Sequence, residues 1–267
     1  MKKTIFAITA VTLLALTSCT KKEVTTSAPK ATTTQSKTMA ASAALYAPEN
    51  PANEYDIAGQ IHNAALAQFM SNPDNQVAFK ENWVDYTGNL LAENGYSKEN
   101  FDAVMTNANA NELLGTLNPF GLNEVTPSLL ENLSTVGAIS PELKDFYTNI
   151  NGCINNLAKD GNYNNFKAAM IRLEATADRM NDDDRGIALS AASIARYSFA
   201  YWMNNDPTGG MAMPMGWGKA DFAGAVGGGA RFIIAAAFGG PVGWGGWAGA
   251  VIGSGVGASI GYAIGSH

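Results

Sequence analysis

Few residues in this chain have the type and spacing for chemistry. His62 sits in the run Tyr55-Asp56-Ile57-Ala58-Gly59-Gln60-Ile61-His62-Asn63, on a predicted helix, and the other histidine is the last residue, His267. A metal site wants several ligands, and no second imidazole stands one helical turn away. No serine or cysteine lies in the strand–turn–helix context of an activated nucleophile. Carboxylate pairs such as Glu93 with Glu99, and the run Asp182-Asp183-Asp184, read most simply as solvated faces and helix caps. His62 reads as a packing or capping histidine, with ligand binding as the alternative. The sequence points to no catalytic residue, no metal and no cofactor, so no enzyme is expected.

The elements that must carry these side chains read as helices throughout. Asn72-Pro73 is a cap followed by proline at the first helical position, and Val77, Val84 and Leu91 recur beside Trp83, Tyr86 and Leu90 until Gly95 supplies a stop. Ser97 opens a short helix with Phe101, Val104 and Met105. Thr126-Pro127 and Ser140-Pro141 repeat the cap-plus-proline signature. Phe166, Met170, Leu173, Ala177 and Met180 form one helical stripe, and Ile187, Ala191, Ile194, Ser198 and Tyr201 form another. No alternating run is bounded by hairpin turns. The expectation is an all-α bundle of six or seven helices over 45–205, a turn-rich linker over 206–218 and an apolar helical hairpin over 219–267.

The tail carries the strongest pattern in the chain. Gly245, Gly249, Gly253, Gly257, Gly261 and Gly265 form a four-residue ladder among apolar or small residues. A helical glycine in water costs about 1 kcal/mol relative to alanine. In hydrocarbon the backbone has no good alternative to helix, and small residues let helices approach closely. Residues 244–265 are 22 without a charge, about 33 Å of helix against a hydrocarbon core of about 30 Å. Gly239-Gly240-Pro241-Val242-Gly243 turns the chain. Trp244 and Trp247 fall at the tip and Trp217 near the base, as membrane-interface belts would. Arg231 argues the other way, since a mid-bilayer arginine costs about 2.5–3.5 kcal/mol on insertion scales. A four-residue step overshoots a helical turn by about 40°, so the glycine stripe winds around the helix. It suits several neighbours: an oligomer formed by self-association, or a central helix.

At the other end, Lys2 and Lys3 precede an apolar run from Ile5 to Leu16, too short to span a bilayer, which predicts a signal peptide over 1–18. Leu16-Thr17-Ser18-Cys19 resembles a bacterial lipobox. That resemblance implies cleavage before Cys19, lipidation of Cys19 by acyl chains such as palmitate, and a lipid anchor in the cell envelope, with the outer membrane as the expected site. Residues 19–44, rich in Thr, Ala, Ser and Lys, then read as a disordered tether. With Cys19 lipidated, Cys153 has no partner in the chain. It falls on the stripe Phe146, Ile150, Cys153, Ile154, Leu157 and reads as a structural thiol. Beyond the signal peptide, 15 basic residues face 23 acidic ones, a net charge of −8, which argues against nucleic acid as a partner.

The tail from Lys219-Ala220-Asp221 through the ladder resembles the glycine-rich membrane-inserting segments of class II bacteriocins and channel-type microcins. The phrases His62-Asn63 and Ser193-Ile194-Ala195-Arg196-Tyr197-Ser198-Phe199-Ala200-Tyr201-Trp202 are similar to secreted helical lipoproteins of Bacteroidetes-type bacteria. Those bacteriocins are short peptides with a double-glycine leader, whereas this chain is long and has a lipobox. The resemblance implies a membrane-active, toxin-like lipoprotein whose hairpin inserts into, or oligomerises in, a target lipid bilayer. The alternative is a resident envelope lipoprotein with a structural or adhesive role, its hairpin packed in its own bundle. Arg185, in the acidic run Asp182-Asp183-Asp184-Arg185-Gly186, is a candidate site for activating proteolysis.

Overall fold

A computed structural model describes residues 46–72, 74–114, 122–205, 212–240 and 244–265. The predicted signal peptide, Cys19 and the 19–44 tether lie outside the described residues. So do Pro73, residues 206–211 of the linker, residues 241–243 of the turn, and the surroundings of Trp244, Gly245 and Gly265.

Among the described residues the elements are helical and none is a strand. They are α1 (Ile57–Met70), α2 (Asn75–Glu81), α3 (Trp83–Glu93), α4 (Lys98–Met105), α5 (Ala108–Leu114), α6 (Pro127–Thr135), α7 (Pro141–Asp160), α8 (Tyr163–Glu174), a 3₁₀ turn (Ala177–Arg179), α9 (Asp182–Asn205), α10 (Ala212–Ala237) and α11 (Trp244–Gly265). The all-α class stands, but among the described residues nine α-helices precede α10 where six or seven were expected. The helix read from Asn72 to Gly95 is two helices. Asn82 leaves helical backbone (φ −154°, ψ 86°) and its side chain accepts the Asp85 amide hydrogen, capping α3. The Val77–Val84–Leu91 stripe is accordingly broken, and Val77 is exposed. The linker expected to run to residue 218 is also shorter. Helix α10 has begun by Ala212, with Pro214 in its first turn, where a missing amide hydrogen costs nothing.

The proline-marked starts form as their side chains dictate. Thr126 Oγ1 accepts from the Leu129 amide and Ser140 Oγ from the Leu143 amide, each at 3.1 Å. Helix α7 then runs for 20 residues to Gly161, whose φ of +65° ends it in the left-handed region that glycine tolerates. It buries Leu143, Phe146, Tyr147, Ile150, Ile154 and Leu157, a three-and-four spacing that lays one face on the core. Replacing Ser140 with alanine should cost about 1 kcal/mol, read as a lower melting temperature without loss of helix content.

Helices α9, α10 and α11 form the centre, and amphipathic helices surround them. Every residue from Gly246 to Ile260 is buried, as is every one from Ala220 to Phe232. Helix α11 touches α10, α9, α1, α4 and α3, which accounts for a helix apolar on all sides. The hairpin tip is different. At the end of α10 the chain turns through Phe238 and Gly239 (φ +83°), and Phe238 is 56% exposed.

Candidate functional site

The hairpin is held together by backbone contact. A Cβ added at Gly224 would meet the Ser254 carbonyl and the Ala258 methyl, and one at Gly228 would meet the Ala250 carbonyl. Small residues thus face small residues across the antiparallel α10–α11 pair: Gly224 and Gly228 on one side, Ala250, Ser254 and Ala258 on the other. The α11 ladder faces elsewhere. Gly249 lies against the Phe101 backbone and Cβ, Gly253 receives the Phe101 ring and the Leu91 methyl, and Gly257 receives the Trp83 ring. Helices α3 and α4 therefore lie in the groove that the ladder opens, while α10 uses a neighbouring face. Gly224 and Gly228 lie outside the sequence pattern singled out above, although their four-residue spacing is the same signal that marks the α11 ladder.

Two of the tryptophans expected at a membrane interface, Trp217 and Trp247, are packed inside the body. Trp217 is 9% exposed and stacks on Trp202 with centroids 4.0 Å apart, and Tyr262 meets it edge-on at 5.7 Å. Trp247 is 2% exposed, edge-on to Tyr55 and pressed against Gly186. Arg231 is buried at 6% exposure, and its Nη1 donates to Asn111 Oδ1 of α5. In this fold a body side chain accepts a hydrogen bond from the arginine that a bilayer would penalise.

Two buried polar clusters tie the centre to the shell. In the first, His62 on α1 and Asp221 on α10 are both fully buried, with Nε2 and Oδ2 3.7 Å apart. Ser198 Oγ and Trp202 Nε1, both on α9, donate to the same carboxylate oxygen, the latter at 3.3 Å. His62 Nδ1 lies 3.1 Å from Asn63 Oδ1, and Asn63 Nδ2 donates to the Tyr197 carbonyl at 2.9 Å. The histidine is therefore a packed core group, as the sequence suggested, but its partner is an acid 159 positions away that no spacing rule could supply.

The second cluster centres on Arg196, fully buried on α9. Its Nε donates to Glu174 Oε1 at 2.6 Å, its Nη2 to Asp56 Oδ1, and its Nη1 to the Pro48 carbonyl. Tyr197 Oη donates to Asp56 Oδ2 at 3.0 Å, Asn50 donates its side-chain amide to Glu174, and Tyr163 Oη donates to the Arg196 carbonyl at 3.0 Å. One cation faces two carboxylates. Burial pushes the Glu174 carboxyl above its ordinary range, with Arg196 opposing the shift. The guanidinium is held charged by the two acids against the cost of burial. Burial likewise raises the Tyr163 and Tyr197 phenols. The cluster fastens residues 48–56 to α8 and α9, and no spacing in the sequence pairs Arg196 with Asp56 or Glu174.

Arg185 lies in the first turn of α9. It pairs with Asp178 at 3.1 Å and with Glu54, and its backbone amide donates to the Asn181 carbonyl at 2.8 Å. Cleavage there would require that turn to unwind. Asn181, rather than the aspartate run, caps the helix, accepting from the Asp184 amide at 3.0 Å. Cys153 is half-buried at the edge of a cleft of about 330 Å³ between α7 and α8, and burial raises its thiol pKa while Arg172 opposes the rise. A second cleft, about 360 Å³, lies beside Glu124 and Lys219, which pair at 3.4 Å. No group of three or more metal-ligating side chains occurs among the described residues.

Comparison with protein-family models, with curated proteins and with solved structures returned no match.

Proposed function

We propose that the chain is a membrane-active, toxin-like lipoprotein, anchored through Cys19 in a bacterial envelope, whose α10–α11 hairpin is stored in the body and inserts into a target bilayer. The observation that carries this reading is the enclosure of a bilayer-length apolar hairpin by amphipathic helices. Pro214–Ala237 of α10 is the one helix among the described residues long and apolar enough to cross a membrane, and 83% of its most apolar stretch is buried by the rest of the chain. Helix α11 adds 22 uncharged residues. A core that serves only stability gains from branched aliphatic side chains, whereas this one carries glycines that each cost about 1 kcal/mol in a helix. The same glycines serve close helix packing in hydrocarbon, so the hairpin could keep its pairing after transfer. The exposed Phe238 tip would reach lipid first. The role is binding and insertion rather than catalysis.

The test is to mix the full chain with dye-filled phosphatidylcholine vesicles and follow leakage together with tryptophan quenching by brominated acyl chains. Trp217 and Trp247 are enclosed in the folded body, so insertion should bring both leakage and quenching. One specific observation favours the second reading, a resident envelope protein with a structural role. The ladder groove is already filled by Phe101, Leu91 and Trp83 of the same chain. Absence of both leakage and quenching would decide for that reading.

A further inference from the structure

We propose that His62 and Asp221 form a proton-linked latch that holds α10 in the body and is released by acid. The inference rests on the insertion reading above and names its trigger.

The geometry leaves a proton between the two side chains. Asn63 commits its amide nitrogen to the Tyr197 carbonyl, so its Oδ1 faces His62 Nδ1, and that ring nitrogen must carry the hydrogen. Nε2 then points at Asp221 Oδ2 and has no hydrogen-bond partner. A bare imidazole lone pair against a carboxylate would be repulsive at this distance, in a site closed to bulk solvent. One proton relieves it, whether the pair is imidazolium with carboxylate or imidazole with carboxylic acid, and either form is neutral overall. The groups facing the pair from its neighbours are Ser198 and Trp202 of α9 and Ser259 and Gly255 of α11, none of which titrates in this range. The other charges of α10 are engaged elsewhere: Lys219 pairs with Glu124, and Arg231 donates to Asn111.

Departure of α10 divides the pair unequally. Asp221 sits in the helix that enters lipid, where a carboxylate is costly, so it leaves with the retained proton as a neutral acid. His62 stays on α1 and meets water. A solvent-exposed imidazole binds a proton from solution below about pH 6.5. Release therefore takes up one proton below that pH and none above it. Linkage makes it about tenfold more favourable for each pH unit below about 6.5 and insensitive to pH above.

The experiment uses the full chain and uncharged phosphatidylcholine vesicles, so that changes in the protein's own charge do not alter lipid attraction. At sub-saturating lipid, the inserted fraction is measured by brominated-lipid quenching from pH 7.5 to 5.0. The expected result is a flat response down to about pH 6.5 and then a rise of about tenfold per unit. The double variant His62→Gln/Asp221→Asn keeps amides in both places but has no titrating group, and its response should be flat throughout. If the variant keeps the native slope, the latch is overturned while the insertion reading stands. If neither protein inserts at any pH, both fall. A measurement on the native chain guards against a variant that fails to fold. The ¹⁵N resonances of His62 at pH 7.5 should show a protonated Nδ1, and an unprotonated Nδ1 would overturn the latch.

Discussion

Replacing Arg196 with methionine should be among the most damaging single changes in this protein, costing about 3–5 kcal/mol. Methionine matches the length of the aliphatic stem but removes the charge, so the loss comes from what stays behind. Asp56 and Glu174 would remain in the interior without their cation, and the Pro48 carbonyl would lose its donor. The pH dependence distinguishes this cause from a packing defect. Burial already raises the Glu174 carboxyl, so its folded form favours the proton more than its unfolded form does. Such a group contributes most below its unfolded pKa and loses that contribution as pH rises through the folded one. Without Arg196 the shift should grow. The difference in melting temperature between native protein and variant should therefore widen from pH 5 to pH 8. A gap that stays constant across that range would show that the carboxylates do not cause the loss. A triple change to apolar residues of similar volume at 56, 174 and 196 should recover much of the stability, because no buried charge then lacks a partner.

Leucine at Gly228 should destabilise the fold by about 3 kcal/mol, the upper end for overpacking. The added atoms would collide with the Ala250 carbonyl, which belongs to the α11 backbone and cannot rotate away. The two helices would have to separate along a face that also includes Gly224, Ser254 and Ala258. The ladder on α11 should respond in grades. Alanine at Gly249 would make an ordinary contact with Phe101 at 3.6 Å and should be tolerated. Leucine at both Gly253 and Gly257 would displace the rings of Phe101 and Trp83, which are side chains and can yield in part. Urea unfolding of the four proteins would check the order: native close to Gly249→Ala, then Gly253→Leu/Gly257→Leu, then Gly228→Leu. A Gly228→Leu protein with native stability would show that α10 and α11 do not meet backbone to backbone.

Arg196 and Gly228 both depend on contacts that only the tertiary structure decides. Local chemistry was legible. Ser140, Thr126 and Ser97 each cap the helix they precede, because a cap depends on a side chain and an amide three residues away. The apolar hairpin was legible too, because composition over 20 residues decides whether a helix can face water. The break at Asn82 was not legible, because the periodic apolar residues on either side outweigh one asparagine that can serve as a cap. The direction of the glycine ladder could not be read. A four-residue spacing says that something approaches closely, but lipid, a second copy and the chain's own Phe101 all satisfy it. The polar clusters were least visible of all. Arg196 meets Asp56 140 positions away, and His62 meets Asp221 at a greater separation still. In isolation each looks like a charge on a helix. Burial turns it into an obligation to find a partner, and only the packing of α1, α8, α9 and α10 decides which partner that is.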